Sequence, residues 1–243
     1  MSDDGMWVHC TREELAGGLV QGGADTFAHY LGGECKCGVD HGGNSRKGRS
    51  SMKNADIVAT YDYKDEKGQL LFQAVRLSPK GFSQRRPNGV GGWEWNLKGV
   101  RTVPYRLPDL LAALSRHDPV FIVEGEKDCD YLCDFGLTAT CNPMGAGKWN
   151  NAWNYMFFGA KVVIIPDNDG PGIDHANSVA RGIYPRANEV RIVPLPGLGE
   201  GGDVSDWLRL GTTSIAQLVE IVRQTEPFFT PSKAPAWGYT VGP

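Results

Sequence analysis

Five carboxylates in the second half of the chain occupy the same kind of position. Glu124 follows the apolar triplet Phe121-Ile122-Val123, with Gly125 behind it. Asp167 and Asp169 follow the apolar stretch 162–166, separated by Asn168 and trailed by Gly170-Pro171-Gly172. Asp203 and Asp206 come after the apolar stretch 189–194 and a Gly-rich loop. In an open parallel sheet, ligands bind outside the carboxyl ends of the strands. If these three strands are neighbours, the acids converge on one edge. Four or five like charges in one place are unfavourable unless something positive lies among them. A hard divalent cation suits oxygen ligands, and Mg²⁺ uses few carboxylates together with substrate phosphates. The competing reading, that each Asp caps a helix or shapes a turn, accounts for any one of them better than for the set.

The elements that must position these acids are legible from residue 119 onward. Strand 121–123 leads into a helix over 126–135, which Gly136 stops at its C′ position. Strand 137–141, a helix over 149–158 and strand 161–166 follow. Next come a helix over 172–183, strand 189–194, a segment at 206–210 and an amphipathic helix over 214–224. Short buried strands alternating with helices predict a parallel α/β sheet. Upstream the style is different. Residues 57–63 and 70–77 are apolar and aromatic runs joined by Lys64-Asp65-Glu66-Lys67-Gly68, a hairpin signal. The predicted organisation is a Gly-rich N-terminal region (1–54), a basic β-rich subdomain (55–115), an α/β catalytic domain (116–226) and a Pro-rich tail or linker (227–243).

The β-rich part also carries a local charge imbalance. Arg76, Lys80, Arg85, Arg86, Lys98, Arg101 and Arg106 face a single acid, Glu94, in a chain whose formal net charge is −3. Phe82, Trp93, Trp95 and Tyr105 are interleaved with them. Cations that track phosphates and aromatics that stack on bases make a single-strand platform, for which Trp93 and Trp95 are the candidate stacking residues. The alternative is that the aromatics are core and the charges merely solvated. The run Arg46, Lys47, Arg49 and Lys53 would extend the same surface.

Three segments resemble the signatures of the Toprim domain: Val123-Glu124-Gly125-Glu126-Lys127-Asp128, Pro166-Asp167-Asn168-Asp169, and Gly202-Asp203-Val204-Ser205-Asp206-Trp207-Leu208. That domain is shared by bacterial-type DNA primases, type IA and type II topoisomerases and some nucleases. The sequence looks most like primases and primase-helicases of phages and plasmids. The likeness runs upstream through Tyr61-Asp62-Tyr63, Gln84-Arg85-Arg86-Pro87 and 93–105, and takes in 142–149, so that it covers about 57–220. It implies a Toprim, Rossmann-like α/β core. Glu124, Asp167 and Asp169 would be catalytic, with Glu124 a general acid/base or metal ligand. Asp167 and Asp169 would hold Mg²⁺ (or Mn²⁺), with Asp128 and Asp206 completing the acidic set and Asp203 a lesser member. Lys127 and Lys148 would contact phosphates. The activity implied is synthesis of short RNA primers from ribonucleoside triphosphates on a single-stranded DNA template, alongside a separate or fused replicative helicase. A Toprim nuclease and a non-catalytic, DNA-binding accessory protein of replication are the alternatives. A topoisomerase would need room for a further domain carrying the active-site tyrosine. Gly145-Ala146-Gly147-Lys148 resembles the end of a nucleotide-binding P-loop, but Asn142 stands where glycine is required and Trp149 replaces Ser or Thr. The sequence therefore contains no helicase motor signature.

No apolar run approaches the roughly 18 residues that cross a bilayer. The acidic start Met1-Ser2-Asp3-Asp4 lacks the layout of a signal peptide, so a cytoplasmic protein is expected, in the host cytoplasm if the origin is a phage. Of six cysteines, Cys129 and Cys133 read as small core residues in a reducing compartment. Cys35, Cys37 and His41, with Cys10 or His9, could form a Zn²⁺ site of the kind with which such primases begin. Cys-x-Cys replaces the usual paired spacing, however, and a degenerate remnant or plain Gly-rich loop is the alternative. A working site predicts about one zinc per chain by atomic emission, lost in Cys35→Ser. Metal-free wild-type protein would leave the Gly-rich loop.

Overall fold

The structure, a computed structural model, describes residues 7–10, 27–30, 56–79 and 81–229. The chain divides into two compact units, Met1–Asp56 and Ile57–Pro243. In the first, β1 (Trp7–Cys10) pairs antiparallel with β2 (Phe27–Tyr30), with Cys10 opposite Phe27. Cys35, Cys37 and His41 lie outside the described residues, as do Lys80 and the basic run 46–53. The zinc expectation and that part of the basic surface therefore have no structural account.

The second unit holds two sheets. β3 (Asp56–Lys64), β4 (Leu70–Ser78), β5 (Gly81–Pro87) and β6 (Trp93–Glu94) lie in that order. The hairpin expected at 57–77 is thus present. Its turn is held by Asp65, whose carboxylate accepts from the amides of Lys67 and Gln69. The other sheet has the order β10-β9-β7-β8, all pairs parallel, formed by β7 (Val120–Ile122), β8 (Thr138–Thr140), β9 (Lys161–Ile164) and β10 (Glu189–Ile192). β7 and β9 are the inner strands. Val120–Ile122 is buried at every position and Val162-Val163-Ile164 likewise. Such unbroken apolar runs belong to a sheet covered on both faces. This is the α/β core with a parallel sheet that the sequence predicts.

Helices bridge the strands where expected, with small differences. α1 (Leu107–Ser115) starts with Pro108 in its first turn, where a missing N–H costs nothing. α2 (Glu126–Asp134) ends in the predicted glycine stop. Gly136 takes φ +82°, its amide bonds the carbonyl of Cys133, and the amide of Leu137 bonds that of Leu132. α3 (Gly170–Ile183), α4 (Val204–Leu208) and α5 (Ile215–Gln224) complete the set. The helix expected over 149–158 is instead a 3₁₀ helix at Asn151–Phe157. Asn150 caps it by accepting from the Ala152 amide, and the short-range bonding competes with an α-helical start.

Residues on both sides of the expected 115/116 boundary share one core. Tyr63 and Phe72 of the β-rich sheet, Leu107 and Leu110 of α1, and Val120, Ile122 and Leu132 of the α/β layer belong to one buried cluster. Tyr63 stacks on Phe72 with centroids 4.4 Å apart, and its hydroxyl donates to Glu126 Oε1 at 2.7 Å. Arg106 seals the same junction by an ion pair with Asp130 at 2.8 Å.

Burial pushes the Glu126 carboxyl up, and the Tyr63 hydroxyl opposes that rise by stabilising the charged form. Tyr63→Phe should then cost about 1.5–3 kcal/mol at neutral pH, the range for hydrogen bonds to charged groups. The cost should shrink as the pH falls and Glu126 is protonated in both proteins. Urea unfolding at pH 7.5 and pH 4.5 measures this; an equal cost at both values would be against it.

Candidate active site

Register places the first acids. Ile122 on β7 pairs with Ile164 on β9, and the ladder continues with the Ile165 amide on the Ile122 carbonyl at 2.9 Å. Glu124 and Asp167 therefore leave adjacent strands at the same sheet edge. The third acidic loop is drawn to that edge by Asn168. Its backbone exchanges hydrogen bonds with Gly202 (2.9 Å) and Gly201 (3.0 Å), and its side chain donates to the carbonyls of Leu198 and Gly199. In the sequence Asn168 is only a spacer between two aspartates; in the structure it positions the loop that carries Asp203.

Glu124, Asp128 and Asp167 line one cavity of about 240 Å³, with Glu126, Gly125, Gly145, Phe82 and Met144. Gly125 is tight for a reason: a Cβ there would sit 3.2 Å from Asp128 Oδ2. Glu124 accepts a hydrogen bond from the amide of Ala146, in the loop 142–148. Two further bonds fix that loop. Asn142 Nδ2 donates to the Gly145 carbonyl at 2.6 Å, and the Gly147 amide donates to Nδ1 of His175 at 3.0 Å. The sequence suggests no role for His175, yet it is buried in α3 and burial lowers its pKa, so that it stays a neutral acceptor. Lys148 is exposed on the same loop.

The electrostatics are those of a cluster short of positive charge. Burial raises the Asp167 carboxyl to about 8, with the charges of Glu124, Asp128, Asp203 and Asp169 adding to the rise. Asp128 is raised to about 6, by burial and then by Asp203, against the pull of Lys127. Glu124 is raised by burial and by Asp169, while the Ala146 amide opposes. Oε2 of Glu124 and Oδ1 of Asp128 are buried without a hydrogen-bond partner.

The other predicted acids have additional work. Asp169 caps α3, accepting from the Gly172 amide at 2.7 Å. Asp203 and Asp206 form a reciprocal capping box on α4. Lys127, expected on a phosphate, is 2.5 Å from Asp203 and 3.8 Å from Asp128. Although burial alone would raise Asp203, Lys127, Ser205 and the Asp206 amide hold it below the usual carboxylate range. Asp206 is exposed beside Arg209 and does not line the cavity.

The donor set suits a hard divalent cation: carboxylate oxygens, two of them buried without a hydrogen bond, on carboxyls that burial pushes toward protonation. Among the described residues no group of three His, Cys, Asp or Glu side chains already converges tightly enough to hold an ion. Mg²⁺ takes one or two carboxylates and completes its shell with water and substrate phosphates. Asp128 and Asp167 would hold it, with Glu124 beside them in the same cavity.

The basic residues of the β-rich sheet divide into two groups. Arg86 pairs with Glu94, Arg101 makes two bonds to Glu66, and Arg106 is committed to Asp109 and Asp130. Composition cannot reveal those partners: three of the seven cations of the expected platform are paired within the chain. Arg85 stacks over Trp93 at 4.1 Å and lies 5.4 Å from the Trp95 centroid, with its Nε donating to Gln73. Arg76 and Lys98 are exposed.

No sequence-family model and no curated protein matches this chain. Solved structures do. The zinc-binding and RNA polymerase domains of the Aquifex aeolicus primase superpose with a TM-score of 0.54 at 16% identity, over 70% of this chain and 40% of that one. The Escherichia coli primase catalytic core gives 0.52 at 18%, over 69% and 52%. A DNA primase domain from Pseudomonas aeruginosa gives 0.52 at 19%, over 88% and 58%. This chain spans 40–58% of the length of these three. Their likeness shows a shared fold: an α/β core of the kind found in those primase structures. Among the described residues no helix is long and apolar enough to cross a membrane.

A raised carboxyl pKa in the folded state means that stability falls as pH climbs from the unfolded value, near 4, to the folded one, about 8 for Asp167. Asp167→Asn should therefore melt higher than wild type at pH 8 in chelator, by roughly 2–4 °C per kcal/mol recovered, and Mg²⁺ should narrow the gap. A lower melting temperature for the variant under those conditions would contradict the charge cluster.

Proposed function

We propose that this chain is a DNA primase core that joins ribonucleotides into short primers on single-stranded DNA, in the replication of a phage, plasmid or other mobile element. The observation that carries the proposal is the coincidence of a primase-core fold with a cavity lined by Glu124, Asp128 and Asp167 at the carboxyl ends of its two inner strands. Fold alone does not assign chemistry; the site supplies the argument.

A divalent cation bound there would lower the pKa of a ribonucleotide 3′-hydroxyl, orient the triphosphate and neutralise the departing pyrophosphate. Asp167 and Asp128 would give up their protons as it binds, since ligands must be deprotonated. Glu124 has a carboxyl raised by burial and an unpartnered Oε2. It is thereby suited to take the proton of the attacking hydroxyl, a task that favours a pKa nearer neutrality. Asp169 would act at one remove, by capping α3 and adding to the local negative charge. Lys148, on the loop that bonds Glu124, would contact phosphate, whereas Lys127 would neutralise Asp203. Arg85 with Trp93 and Trp95 would form the centre of the template platform, extended by Lys98 and Arg76, because guanidinium and indole faces accept any base. A replicative helicase, separate or fused, would be the partner, and zinc bound by the N-terminal cysteines would serve template reading.

Incubation with labelled ribonucleotides, single-stranded DNA and Mg²⁺ should yield short oligonucleotides. Asp167→Ala should reduce the yield by roughly 100-fold or more, the scale for loss of an electrostatic stabiliser. Fragmented DNA in place of oligonucleotides would favour a nuclease. Undiminished synthesis by the variant would remove the carboxylate assignment.

A further inference from the structure

The cavity that holds the carboxylates has a second wall of opposite character. Phe82 and Met144 line it, and both are large apolar side chains left 52% and 47% exposed. Neither is needed by the buried core, to which neither belongs. A site for metal and phosphate alone gives no reason for a phenyl ring and a thioether beside four carboxylates.

Both side chains are held in place. Phe82 sits on β5 directly across from Arg76 on β4, and the Arg76 guanidinium lies 5.9 Å from its ring centroid. Cross-strand pairs and cation–π contacts of this kind fix an aromatic ring. Arg76 is itself bonded to the side chain of Tyr61. Met144 adopts φ +70°, a left-handed conformation that is costly for a side chain of its size. Strained residues persist where their surroundings over-determine them, typically at ligand sites. Here the bonds of Asn142 to Gly145 and of Gly147 to His175 supply that restraint on either side of the turn.

We propose that Phe82 and Met144 form a nucleobase subsite that grips the base of a nucleoside triphosphate whose phosphates face Glu124, Asp128 and Asp167. This rests on the nucleotidyl-transfer reading and adds the substrate end that the carboxylates do not address. The volume agrees: about 240 Å³ is below the ~300–1,000 Å³ of pockets that enclose whole drug-sized ligands, so one end of the nucleotide stays open to the template side. The apolar wall offers a π face and a polarizable sulfur, both of which favour flat aromatic partners. Neither side chain carries a donor or a strong acceptor that would read a base edge. The subsite therefore holds any of the four bases, and the choice among them is left to pairing with a template.

The test compares Mg²⁺·ATP with Mg²⁺·tripolyphosphate, titrated calorimetrically into the full chain. Phe82→Ala should weaken ATP about tenfold, within the ~1–3 kcal/mol typical of base–aromatic stacking, and leave tripolyphosphate unchanged. Phe82→Trp should restore ATP binding. Met144→Ala, an independent probe of the other side chain, should weaken ATP by a few-fold without affecting tripolyphosphate. ATP, GTP, CTP and UTP should bind wild type within about tenfold of one another. Equal losses for both ligands in Phe82→Ala, or no loss for ATP in either alanine variant, overturns the subsite and leaves the carboxylate site standing. Failure of wild-type protein to bind either ligand with Mg²⁺ overturns the active-site reading itself, and the subsite with it.

Discussion

Like charges forced together out of water are the constraint around which this fold is arranged. Parallel strands of equal register deliver Glu124 and Asp167 to one edge, and the helix after Gly125 brings Asp128 back over them. Burial, and then repulsion from neighbouring acids (Asp169 on Glu124, Asp203 on Asp128, the whole set on Asp167), raises all three carboxyls. Such an arrangement works against folding, and a protein tolerates it only where the rest of the structure over-determines the geometry. The surroundings have that property. Two inner strands buried on both faces, a loop clipped by His175 and Asn142, and a second loop clipped by Asn168 leave the acids little room to separate.

Helix capping and charge clustering coexist here. Asp169 and the pair Asp203–Asp206 saturate the amides at the starts of α3 and α4, so the capping interpretation holds for them. Glu124, Asp128 and Asp167 cap nothing. The acids divide between those that fasten the helices to the sheet edge and those that face the cavity, and Lys127 marks the border by neutralising Asp203. Asp169 belongs to both groups, because its charge reaches Glu124 and Asp167 while its oxygen holds Gly172.

Much of this was readable beforehand, for physical reasons that can be named. Apolar runs such as Val162-Val163-Ile164 announce a buried strand whatever surrounds them, and Gly136 announces a helix stop because few residues adopt its backbone angles. Acids directly after such strands mark the ligand-binding edge. Contacts between residues distant in sequence were not readable. Nothing local to Asn168, His175 or Glu126 hints at Gly202, Gly147 or Tyr63. Nor does composition show that Arg86, Arg101 and Arg106 are already paired. The 3₁₀ geometry at Asn151–Phe157 was missed because an Asn cap and an apolar period suit either kind of helix. A change of sequence style, as at 115/116, reports local structure and says nothing of what packs across it.

That junction sets the unit in which this fold can be exchanged. The hydroxyl of Tyr63 reaches Glu126, one residue from the glycine that follows Glu124, and α1 packs on β7, the strand that leads to Glu124. A chimera made by grafting residues 116–226 onto a foreign leader would keep every acidic motif yet bare the flank of Cys129 and Leu132 and strand a buried carboxyl. Recombination between distant relatives would therefore be resisted within the hairpin, so that the hairpin and the acidic motifs would be exchanged as one piece.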